Sequence, residues 1–282
     1  MTTTVSHPPT FVSLTTDFGW EDGYVAAMKG VIYSIQPAAR VVDITHSIGP
    51  QNVVQAAYVL ASVAPYFPAG TVHVVVVDPG VGTDRRPLAV FCERACYVGP
   101  DNGVFTLVYG RETVKEIRVL ANEAYRLPQV SHTFHGRDIF APFAAHIAAG
   151  VEPHTIGPVI TDPVKLNLPE PRRQAGDQVE GEIVYVDHFG NLISNIPLAW
   201  FEESTEWVFE IGGVEIAGLR PAYGFVAPGE LVVLGGSTGL VEVAVRNGSA
   251  AERLRLGVGA RVRAWPRGSG DGQTGDERTQ HS

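Results

Sequence analysis

The chain has 282 residues, of which 45% are hydrophobic and 18% charged, with a net charge of −9. That length accommodates one large domain or two smaller ones, each with a real core. The acidic balance argues against a general nucleic-acid binder, and no apolar stretch reaches membrane-spanning length. The opening MTTTVSHPPT lacks the basic and apolar regions of a signal peptide, so a cytoplasmic location with no membrane partner is expected. Cys92 and Cys96 are spaced wrongly for a CxxC redox pair, and no other cysteine is present to complete a cysteine-rich zinc site.

Residues 1–10 read as a disordered leader. Phe11–Thr16 has the pattern of a strand, Gly23–Ile35 of a helix ended before Pro37, Arg40–Ile44 of a second strand and Asn52–Ala64 of a second helix closed by Pro65. Next comes Thr71–Arg86, in which Val74 to Val77 are apolar on both alternating faces. Such a run suits a strand covered on two sides. Strand, helix, strand, helix, strand predicts an α/β domain with a mostly parallel central sheet. Leu88–Phe91 and Ala95–Val98 are expected to pair as a hairpin, with a turn at Gly99–Gly103, a strand at Val114–Val119 and a helix at Ile139–Ala149.

Composition changes near Pro163–Asp177, and beyond it the pattern is all strand: Val179–Val186, Leu192–Ile196, Trp207–Ile211, Val214–Leu219, Glu230–Leu234, Leu240–Val245 and Ala260–Trp265. Short strands with glycine turns predict a small antiparallel barrel or sandwich. The expected division is an α/β domain over 11–165, a linker over 166–178, an all-β barrel-like domain over 179–266 and a disordered polar tail over 267–282.

Several stretches carry chemistry-bearing residues. Asp78 follows the valine strand, and ligands in open α/β sheets bind beyond the carboxyl ends of strands. Arg85 and Arg86 follow on the same glycine-rich loop. On these residues alone, a structural ion pair between Asp78 and Arg85 is the plainer account. Gly80-Val81-Gly82-Thr83 lacks the GK[ST] of a P-loop. Asp17-Phe18-Gly19 is no kinase triplet, because its companion motifs are missing. Asp17 either caps the following helix or accepts hydrogen bonds from a ribose diol, with Asp22 a second carboxylate nearby. His135 before a helix is structural, or it handles a water or proton. Asp187-His188-Phe189-Gly190-Asn191 and Arg246-Asn247-Gly248-Ser249 are turns, or readers of a polar aromatic ring. Asp138, His146, Asp187 and His188 could serve as metal ligands, but no HExxH or comparable spacing exists, so no metal is expected.

Taken in order, TTDFG, ITHSI, VVDPGVGT-RR, GPDNG, TFHGRDIFAP and VD-FGN-ISNI resemble the S-adenosylmethionine hydroxide adenosyltransferases, the hydrolase branch of the family that includes the fluorinase and chlorinase. The resemblance runs from about Phe11 to Val262. It implies hydrolysis of S-adenosyl-L-methionine to adenosine and L-methionine, no cofactor, and a homotrimer whose sites lie between one subunit's first domain and a neighbour's second. Asp78, Arg85 and His135 become the catalytic set and Asp17 the holder of the ribose hydroxyls. Asp22 and Tyr24 fall near the methionine amino group. Asn102, Ser237, Asp187, Phe189 and Asn191 join the substrate contacts, and Arg246, Asn247 and Gly248 meet the adenine. Fluorinase-like members carry a tyrosine where Asp78 stands and lack His135, and Gln51 stands where they have a tryptophan near the substrate. The alternatives are a halogenating enzyme of the same family and a non-catalytic adenosine or S-adenosylmethionine sensor.

Overall fold

The valine run becomes strand β3 (Thr71–Val76), with all six residues buried. The structure, a computed structural model, describes residues 10–174, 177–202 and 205–268. The chain divides between Asn167 and Leu168 into two compact units. Most of the expected leader and tail, residues 1–9 and 269–282, lies outside the described residues.

In the first unit β3 is central to a seven-stranded sheet. The order is β2 (Arg40–Thr45), β1 (Phe11–Thr16), β3, β5 (Ala95–Pro100), β4 (Pro87–Cys92), β6 (Val114–Val119) and β7 (Val159–Ile160). The pairs among β2, β1, β3 and β5 are parallel. The β4–β5 hairpin then reverses direction, and β6 and β7 continue antiparallel.

Both faces of β3 are covered, as the unbroken valines require. Val72, Val74 and Val76 pack with Val25, Met28 and Ile32 of helix α1 (Tyr24–Ile35) and with Phe143 and Ala144 of α4 (Ala141–Ala148). Val75 and Val77 pack on the other side with Ala56 and Leu60 of α2 (Val53–Val63) and with Val108 of α3 (Thr106–Arg111). Each such valine contributes about 1.5–3 kcal/mol by leaving water. Asn52 caps α2 by accepting the Gln55 N–H at 2.9 Å. Helix α3 was not expected; at six residues it is too short to display a helical period. Cys92 and Cys96 are free, buried thiols on the hairpin, and burial pushes the Cys92 thiol up to about 12.

The second unit is a nine-stranded, barrel-like sheet. Its path is β12 (Val214–Ala217), β11 (Trp207–Ile211), β16 (Arg261–Pro266), β9 (Val179–Val186), β10 (Leu192–Pro197), β15 (Leu240–Val245), β14 (Leu231–Gly235) and β13 (Leu219–Arg220). The short β8 (Arg172–Arg173) pairs with β9, so part of the stretch read as linker is strand. Alternate residues such as Ile183, Phe209, Ile211, Val241, Val243 and Val262 fill the core.

Two expectations are corrected here. Val214–Leu219 is not one strand: Gly218 takes φ +80° and turns the chain, so β12 pairs with β11 while β13 runs parallel to β14. The unit is also not all strand, because α5 (Ala250–Leu254) follows β15. Ser249 accepts the Glu252 N–H at 3.1 Å. The sequence Ser249-Ala250-Ala251-Glu252 is a capping-box pattern that marks this helix start.

Candidate active site

From β1 the chain goes to β2 on one side and then to β3 on the other. That reversal opens a crevice at the carboxyl ends of β1 and β3, the place where such sheets bind ligands. Thr16 pairs with Val76 in register, so Asp17 and Asp78 emerge side by side from the ends of the two strands. Both line a cavity of about 200 Å³ together with Gln51, Thr133, Phe134 and His135.

Arg85 reaches back across its loop to Asp78. Its Nε donates to both carboxylate oxygens at 3.0 Å, and its Nη2 also donates to Oδ2. Nη2 stands 2.7 Å from Nδ1 of His135. Asp78 and His135 face the cavity; the Arg85 side chain, 9% exposed, is packed behind them with its guanidinium 5.1 Å over the Phe140 ring. Arg86 turns elsewhere, to Asp101 at 2.8 Å and Asp162 at 2.9 Å. Of the two arginines in the loop, only Arg85 serves this cluster.

A guanidinium has donors and no acceptor. Nδ1 of His135 therefore accepts, and the neutral ring carries its proton on Nε2. Burial, and next the Arg85 charge, lower the pKa of His135 below its ordinary value, against weaker support for the cation from Asp78 and Asp138. A neutral Nε2–H donor beside a carboxylate can fix one small polar molecule by giving it one hydrogen bond and accepting another.

Local packing fixes these positions. His135 precedes a π-helical turn, Gly136–Phe140; such turns occur often at functional sites. Asp138 in that turn is fully buried. It accepts from Arg137 Nε at 2.6 Å and from the Ser131 N–H at 2.8 Å, which ties down the segment before His135. On the opposite loop Gly82 has φ +79°, and a Cβ there would lie 2.5 Å from the His132 carbonyl oxygen. The loop carrying Arg85 and the segment carrying His135 are thus in backbone contact.

Asp17 does not cap α1, whose N-cap is Gly23 without a side-chain bond. Its Oδ2 instead accepts the Gln51 N–H at 2.7 Å. Gln51 has φ 62°, a left-handed conformation costly for a residue with a side chain, and this aims its N–H at Asp17. Asp22 and Tyr24 are exposed. The Tyr24 ring meets Phe18 at 5.7 Å and Phe134 at 5.2 Å, and the three aromatics border a second cavity of about 340 Å³ with Arg137. Asn102 uses its amide on backbone, donating to the Val77 carbonyl at 2.9 Å and accepting the Val104 N–H at 3.2 Å. It braces the end of β3 just before Asp78. Phe134 and the Gln51 N–H were not assigned roles from the sequence; the left-handed backbone at a glutamine has no local sequence mark.

In the second unit Asp187 organises its own turn. Its Oδ1 accepts the Phe189 and Asn191 N–H groups at 2.9 Å, and Oδ2 accepts the Asn191 side-chain amide at 2.9 Å. Gly190 at φ +79° lets Phe189 stand 74% exposed. The Gly190 carbonyl accepts the Ala251 N–H at 2.9 Å, so this turn meets the one after β15. There Arg246 donates to the Val226 carbonyl at 2.6 Å, Asn247 takes φ 59°, and Gly248 bridges to Val245. Asp187, Phe189, Asn191, Arg246, Asn247 and Gly248 are therefore brought together. Ser237 is not: it lies in the turn before β15, at the other end of that strand. Among the described residues no group of three His, Cys, Asp or Glu side chains is arranged to hold a metal ion.

The family model for the SAM hydroxide adenosyltransferase N-terminal domain matches residues 12–157, and that for the C-terminal domain matches residues 181–263. An (R)-S-adenosyl-L-methionine hydrolase of Salinispora tropica is 42% identical over 91% of this chain and 98% of its own. One of Thermus thermophilus is 41% identical over 88% of this chain and 96% of its own. The crystal structure of an uncharacterized conserved protein from Thermotoga maritima superposes with a TM-score of 0.85 at 36% identity, covering 90% of this chain and 99% of that one. With both domain models matched in order along most of its length, the chain belongs to the SAM hydroxide adenosyltransferase family.

Proposed function

We propose that the chain hydrolyses S-adenosyl-L-methionine, in the (R) form named for its relatives, to adenosine and L-methionine. The observation that carries this reading is the crevice between β1 and β3, which gathers Asp17, Asp78 and His135 around one small cavity. The oxygen of water bonds to the ribose C5′ as the C5′–S bond breaks. The electron pair goes to sulfur, methionine leaves as a neutral thioether, and the proton of the water passes to solvent.

His135 Nε2–H donates to the attacking water and Asp78 accepts one of its hydrogens. A carboxylate has about four lone-pair sites, so Asp78 can serve Arg85 and water together. The remaining lone pair of the water is then directed at C5′; such alignment can supply about 7–11 kcal/mol of the barrier. Arg85 holds both groups from behind and is a positioning residue. Asp17 holds the ribose hydroxyls, and Asp22 and Tyr24 lie at the methionine end. The turns at Asp187–Asn191 and Arg246–Gly248 contribute from a neighbouring subunit of a homotrimer. A halide ion is disfavoured as nucleophile because the Asp78 carboxylate would repel it.

The test is incubation with S-adenosyl-L-methionine in ¹⁸O-labelled water and excess chloride. Label in the 5′-hydroxyl of adenosine is expected. A 5′-chloro product as the main species would turn the reading to a halogenase, and the absence of any product would turn it to a sensor.

A further inference from the structure

The ITHSI motif takes no part in the reaction, yet its His46 is the buried middle of a hydrogen-bonded chain that runs from a partly exposed Lys29–Asp43 pair to the strand end carrying Asp17. Lys29 of α1 donates to Asp43 Oδ2 at 2.5 Å. Asp43 Oδ1 lies 3.0 Å from His46 Nε2, and His46 Nδ1 lies 2.8 Å from Thr16 Oγ1. Thr16 Oγ1 in turn accepts the Phe18 N–H at 3.2 Å. His46 and Thr16 are both fully buried. The main chain adds a second tie, from the Gly19 N–H to the His46 carbonyl at 2.8 Å.

The direction of each bond follows from its partners. An ionised carboxylate only accepts, so His46 Nε2–H donates to Asp43. Nδ1 then accepts the Thr16 hydroxyl proton, and the hydroxyl oxygen is left to receive the Phe18 N–H. Removing the hydroxyl would strand the buried Nδ1 of His46 and free the half-buried Phe18 N–H, which the local backbone must move to satisfy. The groups it would strand flank the turn that carries Asp17. The chain is not a hydrolytic triad in its own right, because the Thr16 hydroxyl is sealed from solvent and already used twice.

We propose that His46 is a positioning residue for the reaction, acting through Thr16 to fix the Asp17–Gly19 turn and with it the carboxylate that holds the ribose diol. This rests on the reading of Asp17 given above. Asp78, Arg85 and His135 are held by other segments, so the relay governs substrate affinity and leaves the chemical step alone.

Four variants test it. Thr16→Val keeps the shape and removes the hydroxyl, whereas Thr16→Ser keeps the hydroxyl. His46→Asn puts an amide oxygen near the place of Nδ1; His46→Gln instead puts an amide nitrogen near that of Nε2. Thr16→Val and His46→Gln are expected to raise KM about tenfold with kcat within about twofold, the mark of lost uniform binding. They should also abolish the preference for adenosine over 2′-deoxyadenosine in calorimetric binding. Thr16→Ser and His46→Asn should stay within about threefold of wild type, since each keeps the Thr16 bond. If Thr16→Val does not fold, the His46 pair decides. A wild-type protein with no preference between the two nucleosides overturns the role of Asp17 and this inference with it. A wild type that discriminates, with the Thr16→Val or His46→Gln protein discriminating equally at unchanged KM, overturns the relay alone.

Discussion

Arg85 Nη2 stands 2.7 Å from His135 Nδ1 while the same guanidinium clamps Asp78 through Nε at 3.0 Å. One planar cation therefore sets the tautomer of a histidine and the plane of a carboxylate. Lysine, a single point charge on a flexible stem, cannot hold both.

Protonation of His135 would place a second donor against that guanidinium and break the contact. Because its pKa lies below the ordinary value, chiefly through burial and then through Arg85, the ring stays neutral until the pH falls under the usual histidine range. kcat/KM should be level through neutral pH and decline only on the acid side of about 6.5. His135→Ala and Arg85→Lys should each lower kcat by about 10–100-fold, with a smaller effect on KM, as expected for groups that orient the water without taking its proton. Steady-state kinetics across pH 5–9 checks this, and a decline that begins well above pH 7 would contradict it.

His73 makes a separate prediction about stability. It lies fully buried on β3 between the neighbouring strands β1 and β5, with Ser13 Oγ at 2.7 Å from Nδ1 and no hydrogen-bond partner for Nε2. Burial pushes its pKa down to about 4 from 6.5. Between those values the unfolded chain binds a proton that the native chain refuses, so stability present above pH 6.5 is lost as the pH falls toward 4. The loss is about 3 kcal/mol over that window. Denaturant unfolding at pH 7 and pH 4.5 should show a shallower pH dependence in His73→Leu than in wild type; equal slopes would refute the assignment.

The left-handed Gln51 gives a third test. Gln51→Gly removes a steric cost and adds a backbone entropy cost of similar size, so thermal stability should change by less than about 1 kcal/mol. A β-branched residue fits that conformation worst, and Gln51→Val should lose at least about 1 kcal/mol. Should the valine variant melt at the wild-type temperature, the backbone at this position is not left-handed in solution.

The assembly can be examined by complementation. The proposed ligand groups are split between Asp17–His135 and Asp187–Gly248, in units with separate cores. Asp78→Ala and Asn191→Ala proteins, each inactive alone, should recover part of the activity when co-assembled. Sedimentation that finds only active monomers would end the idea of shared sites.

Much of this was legible in the sequence, for identifiable reasons. The valine run and the alternating helices fixed β1 to β3 because burial on two faces leaves an unbroken apolar pattern. Asp17 and Asp78 could be placed at strand ends by the same logic, and the pairing of Asp78 with Arg85 was foreseen. Reading farther was limited by interactions with no sequence period. That Asp17 accepts a bond from the Gln51 backbone, 34 residues away, depends on a loop conformation. The divergence of Arg85 and Arg86 depends on where Asp101 and Asp162 fall. The resemblance sets Ser237 among the substrate contacts without saying where it falls; the intervening strand β15 carries it to the opposite end from Arg246.

Gly82 extends this to natural variation. Any side chain there would drive its Cβ to 2.5 Å from the His132 carbonyl and push the His135 segment away from Arg85. A paralogue could thus retain every group assigned to the chemistry and still be silenced by a single methyl on an apparently bland loop. When copies of this chain are sorted into working enzymes and retired ones, the glycine is as informative as the histidine.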